Sequence, residues 1–483
     1  MNLVEYSAFD GLGLAELVAR REVSPRELAQ TAAAAIAKAN PVLGAVVETY
    51  PDRIEALDEA TLGDGPFRGV PFLIKDVFGH EKGRRIEFGS RLCKGMLATA
   101  DTNLMVLLRR AGINNLGRSA APEFSMAPTT EGVLYGNCST PWRQGYSAGG
   151  SSGGASAAVA SGVVPLAHSS DIGGSIRIPA AMCGVVGFKP SRMRVSLGPV
   201  VDEVGWGWSI NFAQTRTMRD AAAMLDAIST PAPGDPFVIP KPTERYATLT
   251  ERAPKPLRIG IVFDNLMGVA PDPEIVSAVH RVGETLAGLG HHVDLATVSA
   301  GGVDLSRVSR DLFFFDFDNR LDGYGRRSGL KPGPDTLEPT IWSIYQRAKE
   351  ITPARFTAAW SDANTARRSL GAFFEAFDIW LTPTTPGVAA PWGHYGLSRT
   401  DVDFDNLGEQ VMAPVIQYTL AHNLMGTPAI SLPLAMHSNG LPIGVQLAAR
   451  PADDHVVLQL ARVLEQEMSW AGRSPPLHVS RIT

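Results

Sequence analysis

Residues 149–187, made mostly of Gly, Ala, Ser and Val, constrain the fold of this chain more than any other segment. The segment reads GGSSGGASAAVASGVVPLAHSSDIGGSIRIPAAMCGVVG and contains the triplet Gly-Gly-Ser twice, at 149–151 and at 173–175. Its pattern predicts a glycine-rich turn, a helix of very small residues, an apolar strand and a second glycine-rich turn. Two serines are therefore expected in glycine-lined turns that are separated by one helix and one strand.

The rest of the chain alternates between strand and helix patterns. Strand patterns lie at 69–79, 256–263, 291–298, 377–383, 428–434 and 440–450. Helix patterns lie at 24–40, 52–60, 101–113, 272–290 and 453–468. This alternation predicts an α/β fold with one large domain over 1–483, in which helices cover both faces of a mixed, twisted sheet. Within it we expect a catalytic core segment at 65–230 and a helix-rich cap or pocket region at 231–400.

The first long helix carries explicit boundary signals. Ser24 stands three residues before Glu27, which predicts a capping box, and Pro25 takes the first helical position. Pro41 predicts that the helix ends just before it.

Charge and hydropathy exclude several classes of function. The 483 residues are 45% hydrophobic and 19% charged, with a net charge of −5. This balance gives the chain no attraction to nucleic acid or to anionic lipid. The longest apolar run, at 155–166, is interrupted by Gly162 and Pro165, so it cannot span a bilayer. Since the amino-terminal residues also lack a signal-peptide pattern, we expect a soluble, cytoplasmic protein.

Cysteine usage agrees with a reducing compartment. The chain has three cysteines: Cys93, Cys138 and Cys183. Their spacing matches no CxxC or Cys/His motif, which predicts neither disulfides nor a zinc site.

The first glycine-rich turn has a conventional interpretation as a nucleophile elbow. Residues 149–153 match the pattern G-x-S-x-G, which would make Ser151 the nucleophile of a Ser-His-Asp hydrolase. That mechanism needs a downstream His and an acid, and the later histidines lie mostly in turns or polar segments. A phosphate-binding loop is excluded because no Gly-Lys-Ser/Thr follows the glycines.

The second turn, Asp171 to Ser175, has the composition of an oxyanion hole. Consecutive glycines let several backbone N–H groups converge on one point, just ahead of the Ser175 hydroxyl. In acyl transfer each such donor is commonly worth about 3–4 kcal/mol. The alternative is a tight structural turn, and the turn itself provides no base for Ser175.

Lys75 is the candidate base. It lies in VPFLIKDVF, where burial disfavours a charged amine, and a neutral amine can take a proton from a hydroxyl. The alternative is a buried ion pair, for example with Asp76. A Ser–Ser–Lys relay explains why two Gly-Ser turns occur. In such a relay Lys75 takes a proton from Ser151, and Ser151 takes one from Ser175.

These residues belong to a larger pattern. Segment 149–190 closely resembles the signature of the amidase signature hydrolases, and GVPFLIKD resembles that family's catalytic-lysine strand. LGRSAAPEFSM is similar to a further family segment, with Arg118 and Ser119 in place of the usual Lys and Thr. LTPTTPGVAAP, NLMGTPAISLPL and GLPIGVQLAARPADD fit the family's carboxy-terminal half. The resemblance covers nearly the whole chain and implies the amidase signature fold.

The resemblance also implies roles for individual residues. Ser175 would be the acyl-forming nucleophile, Ser151 a bridging serine with a cis peptide bond, and Lys75 the general base. The oxyanion hole would be formed by the N–H groups of Ile172, Gly173, Gly174 and Ser175. Asp171 and Arg177 would form a structural pair, and Cys183 would pack in the core.

The activity implied is hydrolysis of a carboxylic amide C–N bond, without metal or cofactor. We expect a small-molecule substrate, namely a medium-sized hydrophobic or aryl amide, and a monomer or homodimer. Carbamates (urethanes), esters and cyclic amides are the alternatives, and a catalytically inactive binding protein is a further one. SIRIP argues against a tRNA-dependent amidotransferase subunit. The aromatic residues expected to line an apolar pocket are Trp206, Trp208, Phe313, Phe314, Phe315, Trp342 and Tyr345.

Overall fold

An eight-stranded mixed sheet runs through the computed structural model, which describes residues 1–201 and 203–482. The strands are β1 (Val46–Thr49), β2 (Pro71–Lys75), β3 (Asn114–Ser119), β4 (Leu166–Asp171), β5 (Val186–Lys189), β6 (Ile210–Thr215), β7 (Arg258–Ile261), β8 (His292–Leu295), β9 (Ile379–Pro383), β10 (Ala429–Met436) and β11 (Pro442–Ala448). The central sheet has the order β4-β6-β5-β10-β11-β9-β7-β8. In this order, adjacent strands from β4 through β9 run antiparallel to each other. Strands β9, β7 and β8 run parallel to each other. A smaller sheet has the order β1-β3-β2.

Helices surround these sheets. In the amino-terminal half they are α1 (Leu3–Ala8), α2 (Gly11–Ala19), α3 (Pro25–Leu43), α4 (Pro51–Ile54), α5 (Asn103–Arg110), α6 (Gly153–Ala160), α7 (Arg177–Cys183), α8 (Val204–Gly207), α9 (Met218–Ile228) and α10 (Tyr246–Thr250). In the carboxy-terminal half they are α11 (Pro273–Gly288), α12 (Leu305–Phe314), α13 (Phe317–Ser328), α14 (Pro339–Ala348), α15 (Pro353–Gly371), α16 (Phe373–Ala376), α17 (Ala413–Ile416), α18 (Leu420–Met425) and α19 (Asp454–Glu467). One turn of π-helix, Gly408–Met412, precedes α17.

Both faces of the central sheet are covered, as the sequence predicts. Ile379 and Leu381 of β9 pack in one core cluster with residues of α9, α11 and α19. Trp380, which lies between them on the strand, packs in another cluster with residues of α12, α15 and α18. Since successive strand side chains point to opposite faces, the two clusters lie on opposite sides of the sheet. The predicted α/β class with a mixed sheet is confirmed.

Residues 231–400 contribute to this sheet as well as to the helices. The strand–helix–strand pattern at 256–298 forms β7, α11 and β8, and the two strands are parallel. Strand β9 comes from the same region. Helices α12 to α15 follow β8, and α12 packs against α15.

Two sequence expectations about the boundaries of helix α3 are wrong. Helix α3 continues through Pro41 to Leu43, because Gly44 adopts a left-handed conformation (φ 62°) and its N–H closes the last turn on Asn40. Ser24 does cap this helix by accepting the Glu27 N–H, but the Glu27 carboxylate binds the amino terminus and completes no capping box.

The helix expected at 52–60 is also reduced. Only α4 and one turn of 3₁₀-helix, Glu59–Thr61, form there.

All three cysteines are buried and unpaired. Cys183 packs in a cluster with the alanines of α6, as predicted for a core residue. Burial raises the pKa of all three thiols. Over residues 1–201 and 203–482, no helix combines the length and the apolar character that membrane crossing requires.

Candidate active site

Lys75 ends strand β2 and is almost completely buried, with 1% of its surface exposed. Its Nζ lies 2.8 Å from Ser151 Oγ and 3.0 Å from Ser170 Oγ. The alternative of an ion pair with Asp76 is not what forms. Asp76 instead binds the Arg118 guanidinium and accepts the N–H groups of Glu87 and Gly89, each at 3.0 Å.

Burial also sets the protonation of this amine. Removal from water lowers the pKa of Lys75, the attraction of the Asp171 carboxylate offsets this effect only partly, and the resulting pKa is about 7. Lys75 is therefore a neutral hydrogen-bonding partner of two serines over the upper part of the physiological pH range.

Ser151 lies in the glycine-rich turn before α6, and its peptide bond with Gly150 is cis. Thr130 fixes this turn, because its Oγ1 donates to the Gly149 carbonyl at 2.8 Å and accepts the Gly153 N–H at 2.9 Å. A Cβ at Gly150 would lie 2.4 Å from the Thr129 carbonyl oxygen, so only glycine fits there. In the described part of the chain, no histidine hydrogen-bonds to Ser151. Its partner is a lysine, which does not fit the Ser-His-Asp alternative.

Ser175 lies in the second glycine-rich turn, between β4 and α7. Asp171 holds this turn by accepting the N–H groups of Gly174 at 2.7 Å and Ile176 at 3.2 Å. The Asp171 carboxylate is in turn paired with Arg177 at 3.0 Å, and both side chains are fully buried. Asp171 and Arg177 are therefore a structural pair, as predicted.

The turn leaves several N–H groups available to a ligand. Among the described residues, the N–H groups of Ile172, Gly173 and Ser175 have no acceptor. The Gly174 N–H already donates to Asp171, so in this state it holds the turn. A Cβ at Gly174 would lie 2.3 Å from Thr419 Oγ1, and its φ of 135° also requires glycine.

The three predicted catalytic residues are not joined by one continuous hydrogen-bond chain. Lys75 and Ser151 are bonded, but among the described residues no hydrogen bond connects Ser151 with Ser175. Ser175 lies on the turn that leads into α7, which packs against α6. The hydroxyls therefore belong to neighbouring turns, and Ser175 faces a cavity.

This cavity has a volume of about 460 Å³ and mostly apolar walls. Gly173, Ser175 and Ile178 line it on the side of the second turn. Of the aromatic residues predicted from the sequence, Trp206, Phe313, Phe314 and Phe315 line the cavity. Further rings that the sequence did not single out are Phe78, Phe88, Phe124, Phe317 and Tyr324.

Three of the predicted aromatic residues do not line the cavity. Trp208 packs edge-on behind Phe313 with ring centroids 5.3 Å apart. Trp342 and Tyr345 stack on each other and pack against the core cluster that also contains the cavity-lining rings of Phe88, Phe124 and Phe317, but they do not reach the cavity themselves.

Sequence reasoning missed the contribution of strand β4. Ser170 binds the Lys75 amine, and the His168 ring accepts the Lys75 backbone N–H at 3.2 Å. The period-two alternation of a strand places these two side chains on one face of β4. The sequence does not tell which strand that face meets, because Lys75 and Ser170 are 95 residues apart. Among the described residues, no group of three or more His, Cys, Asp or Glu side chains could hold a metal ion.

The family model for amidases matches residues 27–458, which is most of the chain. This chain belongs to the amidase family. It is 35% identical to a 6-aminohexanoate-cyclic-dimer hydrolase from Pseudomonas sp. strain NK87, over 97% of this chain and 96% of that protein. It is 30% identical to an acylamidase from Rhodococcus erythropolis, with 96% of each chain covered.

The fold comparison agrees. A solved structure of 6-aminohexanoate cyclic dimer hydrolase has a TM-score of 0.92 and 34% identity to this chain, and 98% and 99% of the two chains are covered. The amidase signature fold implied by the sequence is thereby confirmed. The chain is an amidase-family hydrolase of amide C–N bonds.

Proposed function

We propose that this enzyme cleaves carboxylic amides through an acyl-enzyme on Ser175, with Ser151 and Lys75 as its proton relay. The observation that carries the proposal is the buried Lys75 amine, 2.8 Å from Ser151 Oγ, with its pKa lowered to about 7. A neutral amine has both N–H donors and a lone pair. It can therefore donate to Ser170 while its lone pair receives the Ser151 proton.

Acylation begins when Ser175 Oγ attacks the substrate carbonyl carbon. The Ser175 proton passes to Ser151 as Ser151 gives its own proton to Lys75. The negative charge that develops on the carbonyl oxygen is stabilised by the N–H groups of the second turn. This step requires Ser175 to come within hydrogen-bonding distance of Ser151 in the substrate complex. Catalytic hydrogen bonds commonly tighten only in such complexes.

The tetrahedral intermediate then collapses. Lys75, now an ammonium, returns its proton through Ser151 to the leaving nitrogen, the C–N bond breaks, and the amine departs. Water then attacks the Ser175 ester and gives its proton through Ser151 to Lys75. The second tetrahedral intermediate collapses as this proton returns through Ser151 to Ser175 Oγ, which releases the carboxylic acid and restores Ser175.

The oxyanion hole in this mechanism uses the four predicted positions unequally. Ile172, Gly173 and Ser175 offer N–H groups without an acceptor, whereas the Gly174 N–H is held by Asp171. We assign the direct stabilisation of the oxyanion to the first three groups, and to Gly174 the support of the turn.

The cavity supports a medium-sized hydrophobic or aryl amide as substrate. Its walls are aromatic and aliphatic, and its volume of about 460 Å³ lies within the usual range for small-molecule sites. A relative named acylamidase, 30% identical to this chain, agrees with this choice.

A cyclic amide is the second candidate. It is favoured by the relative named 6-aminohexanoate-cyclic-dimer hydrolase, which is 35% identical over 97% of this chain, and by the TM-score of 0.92. Both candidates use the same residues, so they differ only in how the cavity holds the substrate.

Covalent labelling tests the mechanism without knowledge of the substrate. A fluorophosphonate probe should give one adduct, which peptide mapping places on Ser175. The adduct should disappear in Ser175→Ala and be strongly reduced in Lys75→Ala. The exposed serine variant Ser277→Ala is the matched control and should label normally. An adduct on Ser151 would overturn the proposed roles.

A substrate panel then separates the two candidates. Product formation would be measured with an aryl amide, a cyclic diamide, an aryl carbamate and an ester of matched size, as newly formed amine for the first three and as alcohol for the ester. The highest kcat/KM on the aryl amide supports the first candidate, whereas the highest value on the cyclic diamide supports the second. A higher kcat/KM on the carbamate than on both amides contradicts both candidates, and so does hydrolysis of the ester with no hydrolysis of either amide.

A further inference from the structure

The His168 side chain is a second point at which strand β4 holds Lys75. His168 is completely buried, and its Nδ1 accepts the Lys75 backbone N–H at 3.2 Å. Its other ring nitrogen, Nε2, lies 3.2 Å from Asn211 Oδ1 on the neighbouring strand β6. The ring therefore links three strands, and one of them ends in the proposed base.

The Lys75 contact fixes the tautomer of this ring. A backbone N–H can only donate, so Nδ1 must be the unprotonated nitrogen. A neutral imidazole then carries its proton on Nε2, where Asn211 Oδ1 accepts it.

Burial keeps the ring neutral. The pKa of His168 is lowered to about 3, mainly by burial and also by the nearby Lys75 and His80, while the hydrogen bond to Asn211 acts in the opposite direction. The Asp171 carboxylate is the charged group that acts on the Lys75 amine itself. None of these groups leads to protonation of His168 in the pH range where Lys75 titrates.

The two contacts from β4 hold opposite ends of one residue. His168 holds the backbone of Lys75, and Ser170, on the same face of β4, binds its amine at 3.0 Å. Strand β2 belongs to the three-stranded sheet, whereas β4 belongs to the central sheet. The pair therefore sets where the lysine-bearing strand sits relative to the strand that leads into the Ser175 turn.

The chain leaves room for this ring. A Cβ on Gly79 would lie 2.8 Å from His168 Nδ1 and 2.5 Å from Ile74 Cδ1, closer than real contacts allow. Glycine at position 79 thus permits the imidazole to lie against the end of β2.

We propose that His168 is a positioning residue that holds Lys75 in place for proton transfer with Ser151. Its Nδ1 accepts the Lys75 backbone N–H, and Asn211 fixes the ring by accepting the Nε2–H. This inference rests on the proposed function, because it takes Lys75 as the base. His168 itself exchanges no proton in the reaction.

The test compares two replacements of His168 in the full-length enzyme. In His168→Asn the amide oxygen takes nearly the place of Nδ1 and can accept the Lys75 N–H, whereas Leu in His168→Leu can accept nothing. His291 provides a matched control, since it is buried and its Nδ1 accepts the Leu257 N–H at 3.1 Å, at the far edge of the central sheet. The same two replacements are made there.

The readout is the rate of fluorophosphonate labelling per folded molecule as a function of pH. We expect His168→Leu to label about 100-fold more slowly, as a misplacement of about 1 Å can cause. The labelling rate of the wild type should fall at acid pH as Lys75 becomes protonated. In His168→Leu this fall should begin at higher pH, because an amine that is displaced and reached by water has a higher pKa. His168→Asn should recover most of the labelling rate and the pH dependence of the wild type. Both His291 variants should match the wild type.

Each result bears on one hypothesis. If His168→Leu and the wild type have the same labelling rate and the same pH dependence, the positioning role is overturned. In that case a loss of labelling in Lys75→Ala would leave the proposed function intact. If His168→Leu does not fold, Asn211→Leu removes the Nε2–H partner instead. That variant should label more slowly, and its labelling rate should begin to fall at higher pH than in the wild type. Wild-type behaviour would overturn the inference. Undiminished labelling of Lys75→Ala would instead refute the proposed function itself.

Discussion

Lys75 is an amine held between two serine hydroxyls, and its surroundings decide in which protonation state it works. Its pKa falls from 10.5 to about 7 because the ammonium is costly to bury. Asp76, the next residue, does not counter this effect, since its carboxylate is taken up by Arg118. The acidic residue next to Lys75 in sequence is thus paired elsewhere, and burial outweighs the attraction that Asp171 exerts on the amine.

The pH dependence of amide hydrolysis follows from this lowered pKa. Below about pH 7 Lys75 is an ammonium without a lone pair, and above it the amine is neutral. We expect kcat/KM to rise with pH through one limb near pH 7, measured on a neutral amide between about pH 5 and 9. Lys75→Arg, which stays charged, should be inactive throughout. A profile without an acid limb would contradict this assignment.

Helix α7 and the turn before it act as one element, because Arg177 reaches across the fold. Besides Asp171, this guanidinium donates to Gln446 Oε1 at 2.7 Å, Asn423 Oδ1 at 2.6 Å and the Thr419 carbonyl at 2.9 Å. The turn that carries Ser175 is thereby fixed to strand β11 and helix α18. Its geometry depends on contacts more than 240 residues away in sequence.

Replacing Arg177 should be costly for stability. Arg177→Met leaves the Asp171 carboxylate buried without its partner, and we expect a loss of about 3–5 kcal/mol in the free energy of unfolding. Denaturant titration measures this loss. Arg252→Met, which breaks an exposed pair with Glu244, is the control and should leave the midpoint unchanged. An equal effect of both substitutions would show that the buried pair has no special role.

How far the sequence predicts the site also becomes clear from individual elements. The glycine patterns place Ser151 and Ser175 in turns, and the apolar run before Lys75 predicts its burial, since these signals are local. The contacts of His168 and Ser170 with β2 could not be predicted, because they depend on which strands meet. Helix α3 continues past Pro41 and ends at the left-handed Gly44. This signal is also local, but the sequence prediction gave more weight to the proline than to the glycine.

Over the whole molecule, the cavity is assembled from both halves of the chain. The second glycine-rich turn and Trp206 come from the first half, while α12, α13 and the π-helical turn come from the second. Trp206 packs against Phe315 and Phe356, with ring centroids 6.1 and 4.6 Å away, and its indole N–H donates to the Leu312 carbonyl. The reacting groups are thus covered by a wall that is remote in sequence.

Truncating a side chain that lines the cavity should weaken substrate binding more than it slows the catalytic steps. Trp206→Ala should raise KM for a large apolar amide about 10- to 100-fold, with a much smaller effect on an acetamide-sized substrate. Steady-state kinetics on both substrates measure the difference. Trp342→Ala is the matched control, because Trp342 stacks on Tyr345 outside the cavity. Equal losses on the large and the small substrate would contradict a role of Trp206 in binding.

The burial of Cys93, Cys138 and Cys183 has a practical consequence. Thiol reagents attack the thiolate, and a buried thiol with a raised pKa offers almost none. Maleimides and iodoacetamide should therefore leave the native enzyme unmodified. One cysteine introduced on the surface would then be the sole attachment point for a dye or a solid support, without removal of any natural cysteine.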